Sequence, residues 1–491
     1  MLLASLQVQS SIDEARKRWI LALACLAQFM VILDVSVVNV ALPSIRNDLG
    51  FSAVNLQWVV NAYTLTFGGF LLLGGRAADL LGRRRVFLAG LVGFAAASLV
   101  GGLSTGQGML IGARAVQGLG GAVVAPATLA IITTTFEEGY ERSRALAYWG
   151  AMGAVGGSTG VLLGGVLTEL LGWQWILFIN VPVGIAGALG ALRFVPESTA
   201  EDIGERHYDV SGALSVTAGL VLLTYAIVRT DVNGWGSAET LLVGGAGLGL
   251  LVVFVLVERH ARRPLMPLRI FASRTLSAAN LVIFTLGASV FAMWYFVSLY
   301  LQQVLGFSPI EAGLSFLPMT GAIIVASTFA GRLAARIGPG RILAVGMGVI
   351  GLGMLLFTGI SPDGSYLGDV IVPGVITTTG IGLAFVPTTI AAMAGVERSD
   401  AGLASGLVNT SRQVGGSLGL AILATLATQR TQDLAHGGPF DASALTGGFH
   451  RAFLVGACFA FAGALTAAGL LIRVRHPRHP AAPAPADARS G

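Results

Sequence analysis

Fourteen runs of about twenty apolar residues, parted by short polar turns, dominate this sequence; roughly 20 such residues let a helix cross the hydrocarbon of a bilayer. Backbone in lipid has to hydrogen-bond to itself, so runs this long and this numerous commit the chain to a bundle of membrane-spanning helices. They read as 19–42, 55–80, 86–104, 108–133, 145–168, 174–195, 211–229, 240–257, 276–300, 311–331, 341–360, 368–395, 403–428 and 450–472. An even number puts both termini on one side. Lys and Arg test the count, because cytoplasmic loops are enriched in them. With the N-terminus inside, all but six of the 30 basic residues fall in inside segments. Arg46, Arg229, Arg430 and Arg451 fall outside, and Arg114 and Arg412 within spans. Losing one span would reverse every later loop and destroy this bias.

Only 11% of the 491 residues are charged, against about 25% in soluble proteins. Lipid therefore covers much of the surface. The net charge of +5 reflects basic turns between spans and gives no case for nucleic acid. The basic residues Arg16, Lys17 and Arg18 precede a first span without a clear cleavage site, so that span is expected to remain in the protein. Cys25 and Cys458 lie in apolar runs and read as packing residues.

A basic turn repeats. Gly75-Arg-Ala-Ala-Asp79-Leu-Leu-Gly82-Arg83-Arg84-Arg85 returns as Gly331-Arg332-Leu-Ala-Ala335-Arg336-Ile-Gly338-Pro-Gly340-Arg341, with Ala335 in place of Asp79. A repeat of this kind implies two related halves. The expected division is a cytoplasmic N-terminus 1–18, a six-span bundle 19–195, a linker 196–210, two inserted spans 211–257, a basic linker 258–275, a second six-span bundle 276–472, and a disordered cytoplasmic tail 473–491.

Intramembrane charge is costly and marks function by default. Asp34, in Leu33-Asp34-Val-Ser-Val-Val-Asn39, is the acid of span 1 and a candidate for reversible protonation; the plain alternative is a structural acid near the outer interface. Arg114, followed by Gln117 and Gly118 in span 4, needs an anionic or polar partner, the alternative being an arginine reaching for the cytoplasmic end. The sequence leaves open whether the two touch. Gly156, Gly160 and Gly164 share one face of span 5 beside Gly165, a spacing for close helix packing. Asn39, Gln117, Trp294, Tyr295, Asn409 and Arg412 are candidate lining residues of a substrate cavity; the two aromatics serve equally well as core. There is no phosphate-binding loop, the one lysine is Lys17, the histidines lack metal-ligand spacing, and no nucleophile–base motif stands out. No enzyme activity, cofactor or metal is expected.

On these residues the chain resembles the major facilitator superfamily, and more closely its fourteen-span drug:proton antiporters. The Gly75–Arg85 turn matches the superfamily's loop 2–3 signature. Leu33–Pro43 matches the span 1 motif, and Arg114, Gln117 and Gly118 the span 4 motif. The span 5 motif departs, with Gly160-Val161 where antiporters carry Gly-Pro. The resemblance implies an all-α fold of two six-helix bundles plus two extra central helices. It implies proton coupling at Asp34 and Arg114. It gives Gly75, Asp79, Gly82, Arg83 and Arg84 a conformational switch that braces the two bundles. It makes Gly156, Gly160, Gly164 and Gly165 an antiporter helix interface. Span 10 lacks a deep acid, Glu311 lying near its outer end, which argues for neutral, anionic or monovalent substrates. The expected function is proton-driven export of drugs, antibiotics or other small amphipathic compounds from the cell membrane by a monomer. The alternatives are a dedicated exporter of one self-made metabolite, a non-transporting sensor on the same scaffold, and uptake by symport.

Overall fold

In the computed structural model, residues 13–137, 139–197, 209–261, 264, 266–393, 401–436, 438 and 440–471 are described. The first half comprises α1 (Glu14–Leu49), α2 (Trp58–Leu81), α3 (Arg83–Gly102), α4 (Gln107–Thr135), α5 (Tyr140–Leu170), the short α6 (Trp175–Phe178) and α7 (Asn180–Phe194). Two further helices, α8 (Val210–Asn233) and α9 (Ala238–His260), follow. The second half comprises α10 (Arg274–Leu299), α11 (Pro309–Ser315), α12 (Leu317–Ile337), α13 (Pro339–Leu356), α14 (Ile371–Met393), α15 (Ala401–Ala435) and α16 (Ala442–Thr466). The apolar run 174–195 is thus split into α6 and α7, and run 311–331 belongs to α11 and α12 together.

Helices outrun the apolar stretches that announced them, because a helix need not stop where the lipid does. The first continues past residue 42 to Leu49 and ends on Gly50 at φ +67°. Polar caps set many starts: Asp209, Ser237, Ser273, Ser308 and Asp441 each accept a backbone N–H from the first turn that follows. Glu311 closes a capping box with Ser308, so its carboxylate is committed to the start of α11. Among the described residues thirteen helical segments are long and apolar enough to cross a membrane. The fourteenth expected span is α15, 35 residues long. Its Asn409, Ser411, Arg412, Gln413 and Ser417 dilute its apolar character, and it packs against α2, α10 and α16.

Within the first half α1 lies on α5, α2 on α4, and α3 on α4 and α7. Within the second, α10 lies on α15, α13 on α14 and α16, and α12 on α14. The pair α8 and α9 packs together; α8 also touches α2 and α15, whereas α9 shows Leu241, Leu242, Leu248 and Val252 outward, as a lipid-facing helix does. The sequence repeat is a backbone repeat too. Gly82 joins α2 to α3 at φ +100°, ψ 129°, and Gly338 joins α12 to α13 at φ +95°, ψ 141°. These are conformations that side chains rarely adopt.

Ties between the halves are uneven. The Gly50 end of the bundle holds Ser298 Oγ donating to the Asn39 carbonyl (2.7 Å), Gln302 Nε2 to the Val40 carbonyl (3.0 Å), and the Ile310 N–H to Glu169 (2.9 Å). At mid-depth Ser417 donates to Asn61 (3.0 Å) and Thr410 to the Gly68 carbonyl (3.2 Å). These ties gather at the Gly50 end and at mid-depth.

Candidate functional site

Five helices converge on Asp34. Its carboxylate is 0% exposed and Arg114 is 1% exposed, so neither reaches water or a lipid headgroup. Arg114 Nη1 donates to Asp34 Oδ2. Gln117 Nε2 (3.1 Å) and Asn180 Nδ2 (2.8 Å) both donate to Asp34 Oδ1. Every one of these contacts is a donor, the set an ionised carboxylate accepts. Arg114 is held in turn by the Val59 carbonyl (3.0 Å) and Gln117 Oε1 (2.9 Å), and its guanidinium sits 4.6 Å over the Tyr63 ring. Gln117 also donates to Ser98 Oγ (2.6 Å). The spacing explains the fan: Arg114 and Gln117 are three apart on α4 and share a face, while Asn180 opens α7 and turns toward α1.

A buried ion pair costs desolvation that its attraction repays only with good geometry and further hydrogen bonds. Here both ions have them. The arginine therefore reaches for neither membrane face, contrary to that alternative. Gln117 is sealed in this network, with both polar atoms engaged, and lines no cavity. Asn180, Ser98 and Tyr63 were not among the residues singled out in the sequence. The signal available for Asn180 was a polar side chain at a helix start just before Pro182, which reads like any interface.

The glycines of α5 form two contacts. A Cβ on Gly156 would lie 3.1 Å from the Phe29 carbonyl oxygen, on Gly160 2.9 Å from that of Leu33, and on Gly164 2.7 Å from that of Val37. All three press on α1 around Asp34. Gly165 faces the other half instead, against Pro309 and Ile310. With no proline after Gly160, α5 is one unbroken helix.

In the switch turn, Arg84 pairs with Glu197 (2.8 Å) beyond α7, and Arg85 lies 3.6 Å from the same carboxylate. These two contacts lie within the first half. Arg76 donates to the Pro264 carbonyl (2.8 Å), on the segment leading to the second half. Gly75 faces Pro126 of α4. The side chain of Asp79 lies outside the described residues, as do 198–208 of the first linker and the tail 472–491.

The remaining candidates scatter. Tyr295 is 1% exposed and packed nearly at right angles on Phe296; Trp294 lies 5.0 Å from Phe316. Asn39 donates to the Val35 carbonyl. Arg412 donates to Asn409 Oδ1 (3.0 Å), and its guanidinium lies 5.5 Å from the Phe385 ring of α14. Cys25 and Cys458 are unpaired, and among the described residues no His, Cys, Asp and Glu gather as metal ligands would.

Two helical halves packed around a buried intramembrane ion pair have the architecture of a membrane transporter. The family model of the Major Facilitator Superfamily matches residues 24–420, and the chain belongs to that superfamily. It is 45% identical over 413 residues to the cephamycin export protein of Amycolatopsis lactamdurans, covering 84% of this chain and 85% of that one. It is 40% identical over 441 residues to the puromycin resistance protein of Streptomyces alboniger, covering 89% and 87%. The fold matches a bacterial homologue of the human lysosomal transporter Spinster, in an inward-facing and unoccupied conformation, with a TM-score of 0.66 at 18% identity over 94% of this chain and 98% of that one.

Proposed function

We propose that this chain is a proton-coupled exporter of small amphipathic compounds, antibiotics among them, working as a single chain by alternating access, with the Gly82 end and both termini in the cytoplasm. The observation that carries this is the Asp34 network. Three donors point at one carboxylate. A protonated acid carries its own O–H donor and has less capacity to accept, so a bound proton weakens the hold of Asp34 on these three groups. Arg114 then loses its counter-charge in a dry site. Helix α1 carries the change outward, because Asn39 and Val40, about one and a half turns beyond Asp34, hold the bonds to Ser298 and Gln302 that lace the Gly50 end. Proton binding thereby biases two states differently, which is all that coupling needs. One proton crossing 100 mV supplies about 2.3 kcal/mol.

The names of the relatives tie single antibiotics to their carriers, which supports a narrow-spectrum exporter as the second reading. Ethidium efflux from cells stripped of their own pumps separates the cases. Efflux that a protonophore abolishes and Asp34→Asn lacks is expected. Efflux unaffected by Asp34→Asn removes that residue from the coupling. Transport in liposomes that persists after the proton gradient collapses ends the antiport proposal.

A further inference from the structure

The second intramembrane arginine has no such partner. Among the described residues no carboxylate lies within ion-pair distance of Arg412. The residue is deep: the adjacent Gln413 packs against Gly68, near the middle of the 24-residue α2. Its direction follows from its neighbours. On α15, Gly406, Thr410, Gln413 and Ser417 face α2, while Ser411, Gly415 and Gly419 face α10. Asn409 and Arg412 stand on the arc between, toward the seam of the two halves, on the side nearer the Gly82 end. Arg412 is half-buried and spends one donor on Asn409. A guanidinium has five N–H donors and stays charged, and among the described residues no other side chain accepts from it. The Phe385 ring beside it is 48% exposed. Two acids of this half at its Gly50 end are engaged elsewhere, Glu311 with the Ser308 N–H and Asp369 with the N–H groups of Ser361 and Ser365.

We propose that Arg412, with Asn409 and the face of Phe385, forms the recognition site for the anionic group of an exported amphipathic anion: a carboxylate or sulfonate on an aromatic body. It rests on the export reading and narrows it to a substrate class. A planar fork of donors matches a carboxylate with two parallel hydrogen bonds. The aromatic face takes the attached ring. In the first half the arginine charge is answered by Asp34; in the second the answering charge arrives with the substrate. An amphipathic cation meets an uncompensated like charge there and is disfavoured.

The test uses a matched pair, rhodamine B with its free carboxylate and rhodamine B ethyl ester without it. Binding is read by fluorescence polarisation to the full chain in lipid nanodiscs, with no proton gradient. The unaltered protein is expected to prefer the acid by about tenfold, the worth of one charge-assisted pair. Arg412→Gln closes that gap, Arg412→Lys restores part of it, and Arg451→Gln on an exposed helix face leaves it intact. Equal binding of the two dyes by the unaltered protein overturns the assignment. So does a preference that survives Arg412→Gln, or a loss of both dyes that Arg412→Lys does not relieve. Protonophore-sensitive efflux of either rhodamine dye from cells, measured separately, tells failure of this site from failure of the export reading.

Discussion

Replacing Asp34 by Asn tests whether the ion pair or only its hydrogen bonds hold the first half together. The site aims three donors at the two oxygens of Asp34. Asparagine offers one oxygen and an NH2 group, so at least one donor is left facing another donor. Arg114 keeps the Val59 carbonyl and Gln117 Oε1 and loses only the charge that balanced its own. Removing one partner of a buried pair costs about 3–5 kcal/mol, whereas replacing both by neutral groups is often harmless. The single variant is therefore expected to lose about 3–5 kcal/mol of stability, and Asp34→Asn/Arg114→Gln to recover at least about half of that. Unfolding in mixed micelles of dodecyl maltoside and SDS, followed by tryptophan fluorescence, measures both. Efflux assays in cells carrying the same variants should find neither variant coupled to protons. A double variant as unstable as the single one, or a single variant with no loss, refutes the claim that charge balance dominates this site.

Other perturbations follow from the packing. Gly164→Ala puts a Cβ 2.7 Å from the Val37 carbonyl; overpacking of this kind costs about 1–3 kcal/mol, and efflux should fall with stability, whereas Gly150→Ala, in open space on the same helix, should change neither. Gly82→Ala and Gly338→Ala each force a side chain into φ near +100°, for about 1–3 kcal/mol apiece in the same unfolding assay. Gly165→Ala puts a Cβ 2.4 Å from the Pro309 carbonyl oxygen of the other half, and should cost about 1–3 kcal/mol in the unfolding assay and lower efflux with it. Glu197→Gln should cost no more than about 1 kcal/mol, because its pairs with Arg84 and Arg85 are partly exposed.

Much of this was legible in the sequence, for a physical reason. Charge in a membrane is scarce enough that each charged residue stands out, so Asp34 and Arg114 were marked as a pair before any geometry, and the structure brings them together. Amides and hydroxyls cost far less in lipid and are scattered along every span. Nothing in the sequence separates Asn180, which binds Asp34, from Asn39, which bonds its own helix. The glycine stripe of α5 was visible as a stripe, but its register against α1, and the turning of Gly165 toward α11, depend on how two helices far apart in the chain meet. The reach of Arg84 stayed hidden for the same reason, because Glu197 lies beyond four intervening helices.

Helix α8 lies across one seam of the molecule. Its Thr217 packs on Gly69 of the first half, and its Ile227 and Thr230 carbonyls accept from Thr425 and Gln429 of the second. Among the described residues no helix covers the α5 side, where α11 and α12 meet the first half, in the same way. The α8 helix thus bridges the two halves along one flank, and on the export reading proposed above any rocking of the halves has to slide past it.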